Sequence, residues 1–124
     1  MKKIPRTTSQ QKGVNFETKR VYTKDEVLRV RAMFRDALAP HKPAEPMKGA
    51  VQVLTKWCYP TATAKKWGSW KSTKPDVGNA VKLFHDVMED LDFFANDSQI
   101  ASEINQKFWT EPGKSGIFVA FETL

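Results

Sequence analysis

Residues 74–99 read Lys-Pro-Asp-Val-Gly-Asn-Ala-Val-Lys-Leu-Phe-His-Asp-Val-Met-Glu-Asp-Leu-Asp-Phe-Phe-Ala-Asn-Asp-Ser-Gln. From Asn79 onward the apolar residues Ala80, Leu83, Phe84, Val87, Met88 and Leu91 recur at i, i+3, i+4, i+7, i+8 and i+11. That is the period of a helix with one buried stripe. Lys82, His85, Asp86, Glu89 and Asp90 take the remaining positions, which predicts a polar face and puts His85 on the surface. Phe93 and Phe94 follow, then the turn Asn96-Asp97-Ser98.

On the C-terminal side, residues 99–109 predict a strand, with Ile100, Ser102, Ile104 and Gln106 on one side. Glu111-Pro112-Gly113-Lys114 predicts a turn, and residues 117–123 a last strand, expected to form a hairpin with the strand before it. On the N-terminal side, residues 50–59 are the clearest strand of the first half. Val51, Val53 and Thr55 point one way and Gln52, Leu54 and Lys56 the other. Residues 60–75 show no regular period. Residues 41–49 hold Pro43 and Pro46 and read as a linker loop. Before them, Thr23 and Glu26 form a capping box, opening a helix that carries Val27, Val30, Ala32 or Phe34, and Leu38 on one side and stops at Pro40. Residues 14–22 read as a strand or hairpin arm, and residues 1–8 as an edge strand or loose arm. The expected architecture is a mixed α/β fold (α+β) with a small mixed sheet and two main helices, in one domain spanning 1–124.

A chain of 124 residues with 40% hydrophobic and 27% charged residues is long enough for one core and too apolar to be wholly disordered. The single cysteine, Cys58, excludes an internal disulfide and a cysteine-based zinc site. No apolar run approaches the ~18 residues of a membrane span, and no apolar stretch follows the basic N-terminus. These features predict a cytoplasmic protein with no membrane partner and no signal peptide. The net charge of +6 is unevenly spread. Residues 1–75 hold 17 Lys/Arg against 5 Asp/Glu, whereas residues 76–124 hold 3 against 9. A basic half beside an acidic one predicts a polyanion, nucleic acid above all, gripped by the first.

Two groups of residues suit such a partner. Lys65, Lys66, Lys71 and Lys74 are interleaved with Trp67 and Trp70. Lysines neutralise phosphates, and indole faces accept unpaired bases. The alternative is a loop whose tryptophans fold back into the core while its lysines stay solvated. In the acidic half, Asp76 precedes the strong helix and Asp97 follows it. Carboxylates that converge suit a hard cation such as Mg²⁺. Equally, Asp76 reads as an N-terminal helix charge and Asp97 as a turn residue. His41 and Cys58 have no partners in the sequence suited to nucleophilic chemistry.

Lys74-Pro75-Asp76-Val77-Gly78-Asn79, with Lys82 six residues beyond Asp76, and Asn96-Asp97-Ser98-Gln99, with Asp97 21 residues beyond it, resemble the RusA family of Holliday junction resolvases. The family pattern is Lys-Pro-Asp-x-Asp-Asn, a helix bearing a Lys, then Asp-Asp-x-Gln and a strand. Asp86 matches a further Asp of that helix. The resemblance implies a RusA-like homodimer that cuts opposed strands of a four-way DNA junction in recombination and repair. It implies Mg²⁺ held by three Asp carboxylates, Asp76 and Asp97 among them, with Lys82 stabilising phosphate charge. It also points to a phage or prophage origin and a bacterial cytoplasm. Gly78 stands where the pattern has its second Asp, and Asn96 where it has the first of the pair. The Gly78 departure leaves three expectations for the site: it is crippled, Asp86 stands in, or two carboxylates and water hold Mg²⁺ weakly. The chain is then an endonuclease with reduced cutting or, alternatively, a protein that binds branched DNA without cutting it.

Overall fold

The computed structural model describes residues 24–124. In chain order they form α1 (Lys24–Leu38), β1 (Val51–Pro60), α2 (Gly78–Asp90), β2 (Ile100–Thr110) and β3 (Gly116–Thr123). Single turns of 3-10 helix lie at Ala39–His41, Ala64–Lys66 and Asp97–Gln99. These residues gather into two compact units, one of Met47–Thr73 and Ser98–Leu124, the other of 24–46 and Lys74–Asp97. The arm expected at 1–8, the strand or hairpin arm at 14–22 and the Thr23 end of the capping box lie outside the described residues. No helix among the described residues is long and apolar enough to cross a membrane.

The first unit is a three-stranded mixed sheet in the order β2-β1-β3. β1 runs parallel to β2, from Val51 opposite Ile100 to Pro60 opposite Thr110. It runs antiparallel to β3, from Val51 opposite Thr123 to Cys58 opposite Gly116. The hairpin expected between the last two strands is therefore not formed. Alternation marks a strand but not its neighbour, and a β2–β3 hairpin would leave one edge of the buried strand β1 without backbone partners. The chain instead turns at Gly113, whose φ of 95° suits glycine, and β3 takes the open edge of β1. A parallel β1–β2 pair needs a long crossover, and the segment carrying α2 supplies it.

The alternation read from residues 50–59 holds. Val51, Val53, Thr55 and Trp57 are almost completely buried, while Lys56 is exposed. Thr55 is the polar member of that row, and its hydroxyl is used twice. It donates to Asn105 Oδ1 at 2.6 Å and accepts the Trp57 indole N–H at 2.8 Å. Gln99 ties the start of β2 to the approach to β1, donating its amide to the carbonyls of Met47 (3.0 Å) and Gly49 (2.9 Å).

In the second unit, α1 buries Val30, Phe34 and Leu38, four residues apart each time. α2 buries Ala80, Val81, Phe84, His85, Val87 and Met88. The rings of Phe34 and Phe84 meet edge to face with centroids 5.0 Å apart, the geometry their quadrupoles favour. His85 is 6% exposed, not on the surface as its polarity predicts. It lies one turn beyond Val81, so the buried stripe of α2 is wider than the i, i+3, i+4 positions mark. Arg31 of α1 pairs with Asp90 and reaches Asp86 at 4.0 Å, while Arg35 lies 3.7 Å from Asp90.

α2 ends in a Schellman motif. Asp92 has φ of 65°, the N–H of Phe93 reaches the Met88 carbonyl, and that of Asp92 reaches Glu89. Asp is among the few non-glycine residues that tolerate this conformation. The reversal delivers Phe93 and Phe94 into full burial.

Thr55→Val keeps the shape of the buried row but strands the Trp57 N–H and the Asn105 amide oxygen. The expected loss is about 1–3 kcal/mol of folding stability, read as a lower urea midpoint at unchanged m-value. An unchanged midpoint would show that the Trp57 N–H finds another acceptor.

Candidate acidic site and basic loop

Asp76 follows a cis Lys74–Pro75 bond and immediately precedes Val77, the N-cap of α2. One of its carboxylate oxygens, Oδ1, accepts the N–H of Gly78 at 2.9 Å. The first N–H groups of a helix lack intrahelical acceptors, and a negative charge there is favoured by the helix dipole. The reading of Asp76 as a helix-start charge is thus physically realised. It is also exposed, as are Gly78 and Lys82. Positions 78 and 82 are one i, i+4 step apart and share an edge of the helix. A Cβ placed at Gly78 would meet only Asp76 Oδ1, at 3.4 Å, which is ordinary contact. The backbone at 78 therefore has room for a side chain next to the Asp76 carboxylate.

Asp97 is held at the other end. Its N–H donates to Glu89 Oε1 at 2.8 Å, across the Schellman turn. Glu89 belongs to the run of acids on the polar face, and only the reversal after Asp92 brings residue 97 back to it. Glu89 lies 11 residues beyond Gly78, roughly 16 Å along a helix axis. So α2 sets Asp76 and Asp97 at its two ends. Asp86 is exposed and faces Arg31. Among the described residues no three His, Cys, Asp or Glu side chains gather in an arrangement able to hold a metal ion.

The basic loop belongs to the sheet unit and is more ordered than its sequence predicts. Residues 68–71 lie against the C-terminal half of β2. Gly68 N–H bonds Trp109 O (2.9 Å), Trp109 N–H bonds Ser69 O (2.9 Å) and Lys71 N–H bonds Lys107 O (3.0 Å). Trp70 and Phe108 form an antiparallel bridge. Gly68 has φ of 85°, which lets the chain turn from the 3-10 turn into this pairing. Side chains then alternate across the short ladder. Trp70 stacks on Phe108 with centroids 4.5 Å apart and remains 66% exposed. Trp67 is 41% exposed and donates its indole N–H to Thr61 O at 2.8 Å. Neither tryptophan is in the core.

The lysines divide into two sets. Lys65, Lys66 and Lys74 are exposed, but Lys71 is buried. The Lys71 ammonium lies 4.3 Å from the centroid of Trp109 and 5.3 Å from that of Tyr59. It donates to Thr73 Oγ1 (2.6 Å) and Thr73 O (3.2 Å). Lys107 donates to the same Thr73 carbonyl at 2.7 Å, so the two ammonium groups lie within about 6 Å of each other. Two such charges repel by on the order of 3 kcal/mol at an effective dielectric constant of about 20. Lys66 approaches Trp109 as well, at 5.6 Å. Desolvation, then Lys107, then Lys66 hold the Lys71 ammonium below its ordinary pKa of 10.5. Burial pushes the Tyr59 hydroxyl up to about 12. Lys107 was missed in the sequence because it lies in the acidic half. Its signal was the alternation that puts Lys107 and Trp109 on one side of β2.

The family model described as endodeoxyribonuclease RusA matches residues 4–120. Over 100 residues the chain is 30% identical to a crossover junction endodeoxyribonuclease RusA of Lactococcus phage r1t. That alignment covers 79% of this chain and 76% of the phage protein.

Lys71 makes stability depend on pH with a definite sign. Its folded pKa lies below the unfolded 10.5, so between the two the unfolded chain binds the extra proton and stability rises with pH. Tyr59 acts in the opposite direction only between its ordinary 10 and about 12. The Cys58 thiol, also pushed up by burial from its ordinary 9.0, opposes Lys71 above that pH, so urea titrations below pH 9 should show a Lys71-dependent rise of stability with pH and a flatter profile in Lys71→Met. Parallel profiles would mean that Lys71 is not charged against its surroundings.

Proposed function

Because the chain belongs to the RusA family of endodeoxyribonucleases, we propose that it is a Mg²⁺-dependent endonuclease that resolves four-way DNA junctions as a homodimer. It acts in the bacterial cytoplasm on recombination and repair intermediates. The observation that carries the reading is the exposed edge of α2, where the Asp76 carboxylate, the open position 78 and the Lys82 ammonium stand in sequence. Such an edge offers oxygen ligands for a hard cation beside a positive charge for a phosphate.

The oxygen donors suit Mg²⁺, which takes one or two protein carboxylates and keeps its waters. Asp76 and Asp97 are the exposed carboxylates that would hold the ion. When bound, Mg²⁺ supplies an acidified water and neutralises charge at the scissile phosphate. Lys82 stabilises charge on the phosphate oxygens as the bond breaks. Glu89 keeps the Asp97 turn in place. Lys65, Lys66 and Lys74 grip backbone phosphates, and the exposed faces of Trp67 and Trp70 stack on bases unpaired at the junction centre.

A second reading is a protein that binds branched DNA without cutting it. It is favoured by Gly78 in place of a carboxylate and by the Arg31 guanidinium facing Asp86, the one candidate replacement on the helix.

Cleavage of a synthetic four-way junction, with and without Mg²⁺, separates the two. Gly78→Asp should raise Mg²⁺-dependent cutting by at least tenfold, because position 78 has room for a carboxylate beside Asp76. It should leave metal-free junction binding nearly unchanged. Asp97→Asn in the Gly78→Asp background should abolish cutting again. A native protein that binds junctions but never cuts, and that Gly78→Asp fails to activate, would establish the binding reading.

A further inference from the structure

Two lysines converge on one ring in the sheet unit, and a third joins one of them at a shared carbonyl. Lys71 and Lys66 approach Trp109 at 4.3 and 5.6 Å, and Lys107 shares the Thr73 carbonyl with Lys71. Folding alone gives no reason to gather like charges. Lys71 as a residue is only 6% exposed, an ammonium taken from water is costly to desolvate, and two further cations nearby raise that cost. After desolvation, both neighbours act to lower the Lys71 pKa. An anion placed among them would relieve the repulsion.

The members are not equivalent. Lys71 is turned inward, and its donors engage Thr73 Oγ1 and O. It braces the loop and contributes field. Lys107 is half-buried at the rim and Lys66 is exposed. These two can reach a ligand directly. Backbone bonds from Gly68, Trp109 and Lys71 hold the loop on β2, so the cluster is preorganised. Lysine ammoniums are compact, strongly hydrated point charges, the form in which lysine commonly binds phosphate.

We propose that Lys107 and Lys66, braced by Lys71 over Trp109, form a binding site for one phosphodiester group of the DNA backbone. The site rests on the nuclease reading for its ligand and adds Lys107, a strand residue of the acidic half, to the residues that grip DNA.

The test measures junction affinity of the full chain against salt, without Mg²⁺. Each lost phosphate contact should make the slope of log K against log salt shallower by about 0.9, and weaken binding about eightfold at about 0.1 M salt. Lys107→Met and Lys66→Met should each show this, and Lys107→Arg should restore native behaviour. Lys66 is exposed and makes no side-chain bond to Thr73, so Lys66→Met reads the site even if Lys107→Met folds poorly. Native slopes in both Met variants would overturn the proposal. A parallel arm uses inorganic phosphate, with thermal midpoints compared with chloride at equal ionic strength. A rise in the native protein that Lys107→Met loses upholds the phosphate site. If that rise occurs while junction DNA does not bind, the nuclease reading fails and the site stands. Equal midpoints in phosphate and chloride, with no junction binding, overturn both.

Discussion

β1 is bonded along both of its edges, and the sheet unit is organised by that constraint. A buried strand cannot leave N–H and C=O groups facing apolar surroundings, so each edge must find a complete partner. One edge takes β2 in parallel and the other takes β3 antiparallel. The parallel pairing requires a long crossover, and so places a helix between two neighbouring strands in the sequence. The antiparallel pairing draws β3 away from the strand that precedes it. The buried row Val51, Val53, Thr55 and Trp57 then needs one polar solution, and the Thr55 hydroxyl provides it between Trp57 and Asn105.

Within the other unit α2 acts as a ruler. Two bonds from carboxylate oxygens to backbone N–H groups mark its ends: Asp76 on Gly78 and Glu89 on Asp97. The first satisfies a helix start, and the second anchors the turn that returns after the Schellman motif. Each is an ordinary structural device, yet together they fix where two exposed carboxylates stand. Asp86 is the contrasting case. It occupies the same polar face, but Arg31 of α1 stands opposite it, in a small ion-pair group that also takes in Asp90 and Arg35.

The basic loop shows how backbone pairing sorts side chains. Three backbone bonds to β2 impose alternation on residues that have no alternation of their own. Trp70 is thereby laid on Phe108 with one face open, and Lys71 is turned into the aromatic pair Tyr59 and Trp109. One short ladder thus separates an exposed stacked tryptophan from a lysine packed over two rings. The exposed lysines on either side of it remain solvated cations of the kind that give salt-dependent grip on a polyanion.

The sequence by itself determined α2, the strand character of β1, the break at Pro40 and the Lys74–Asn79 and Asn96–Gln99 motifs. These depend on local periodicity, on chain-breaking residues and on spacing, all of which are properties of neighbours along the chain. It also identified Asp76, Lys82, Asp97 and the exposed tryptophans as residues of interest. Only the tertiary structure decided that β3 pairs with β1, because alternation carries no information about partners. Only it placed His85 in the interior, because the width of a buried stripe depends on what packs against the helix. For the same reason Lys107 drew no notice in the sequence, and Glu89 stood there only as one of several acids on a polar face. Each acquires its role from a residue distant in the chain or beyond a turn: Lys107 from Thr73 across a loop, Glu89 from Asp97 beyond a left-handed residue. Hydrogen bonds that close through space are fixed by the fold, and nothing in the spacing of the residues announces them.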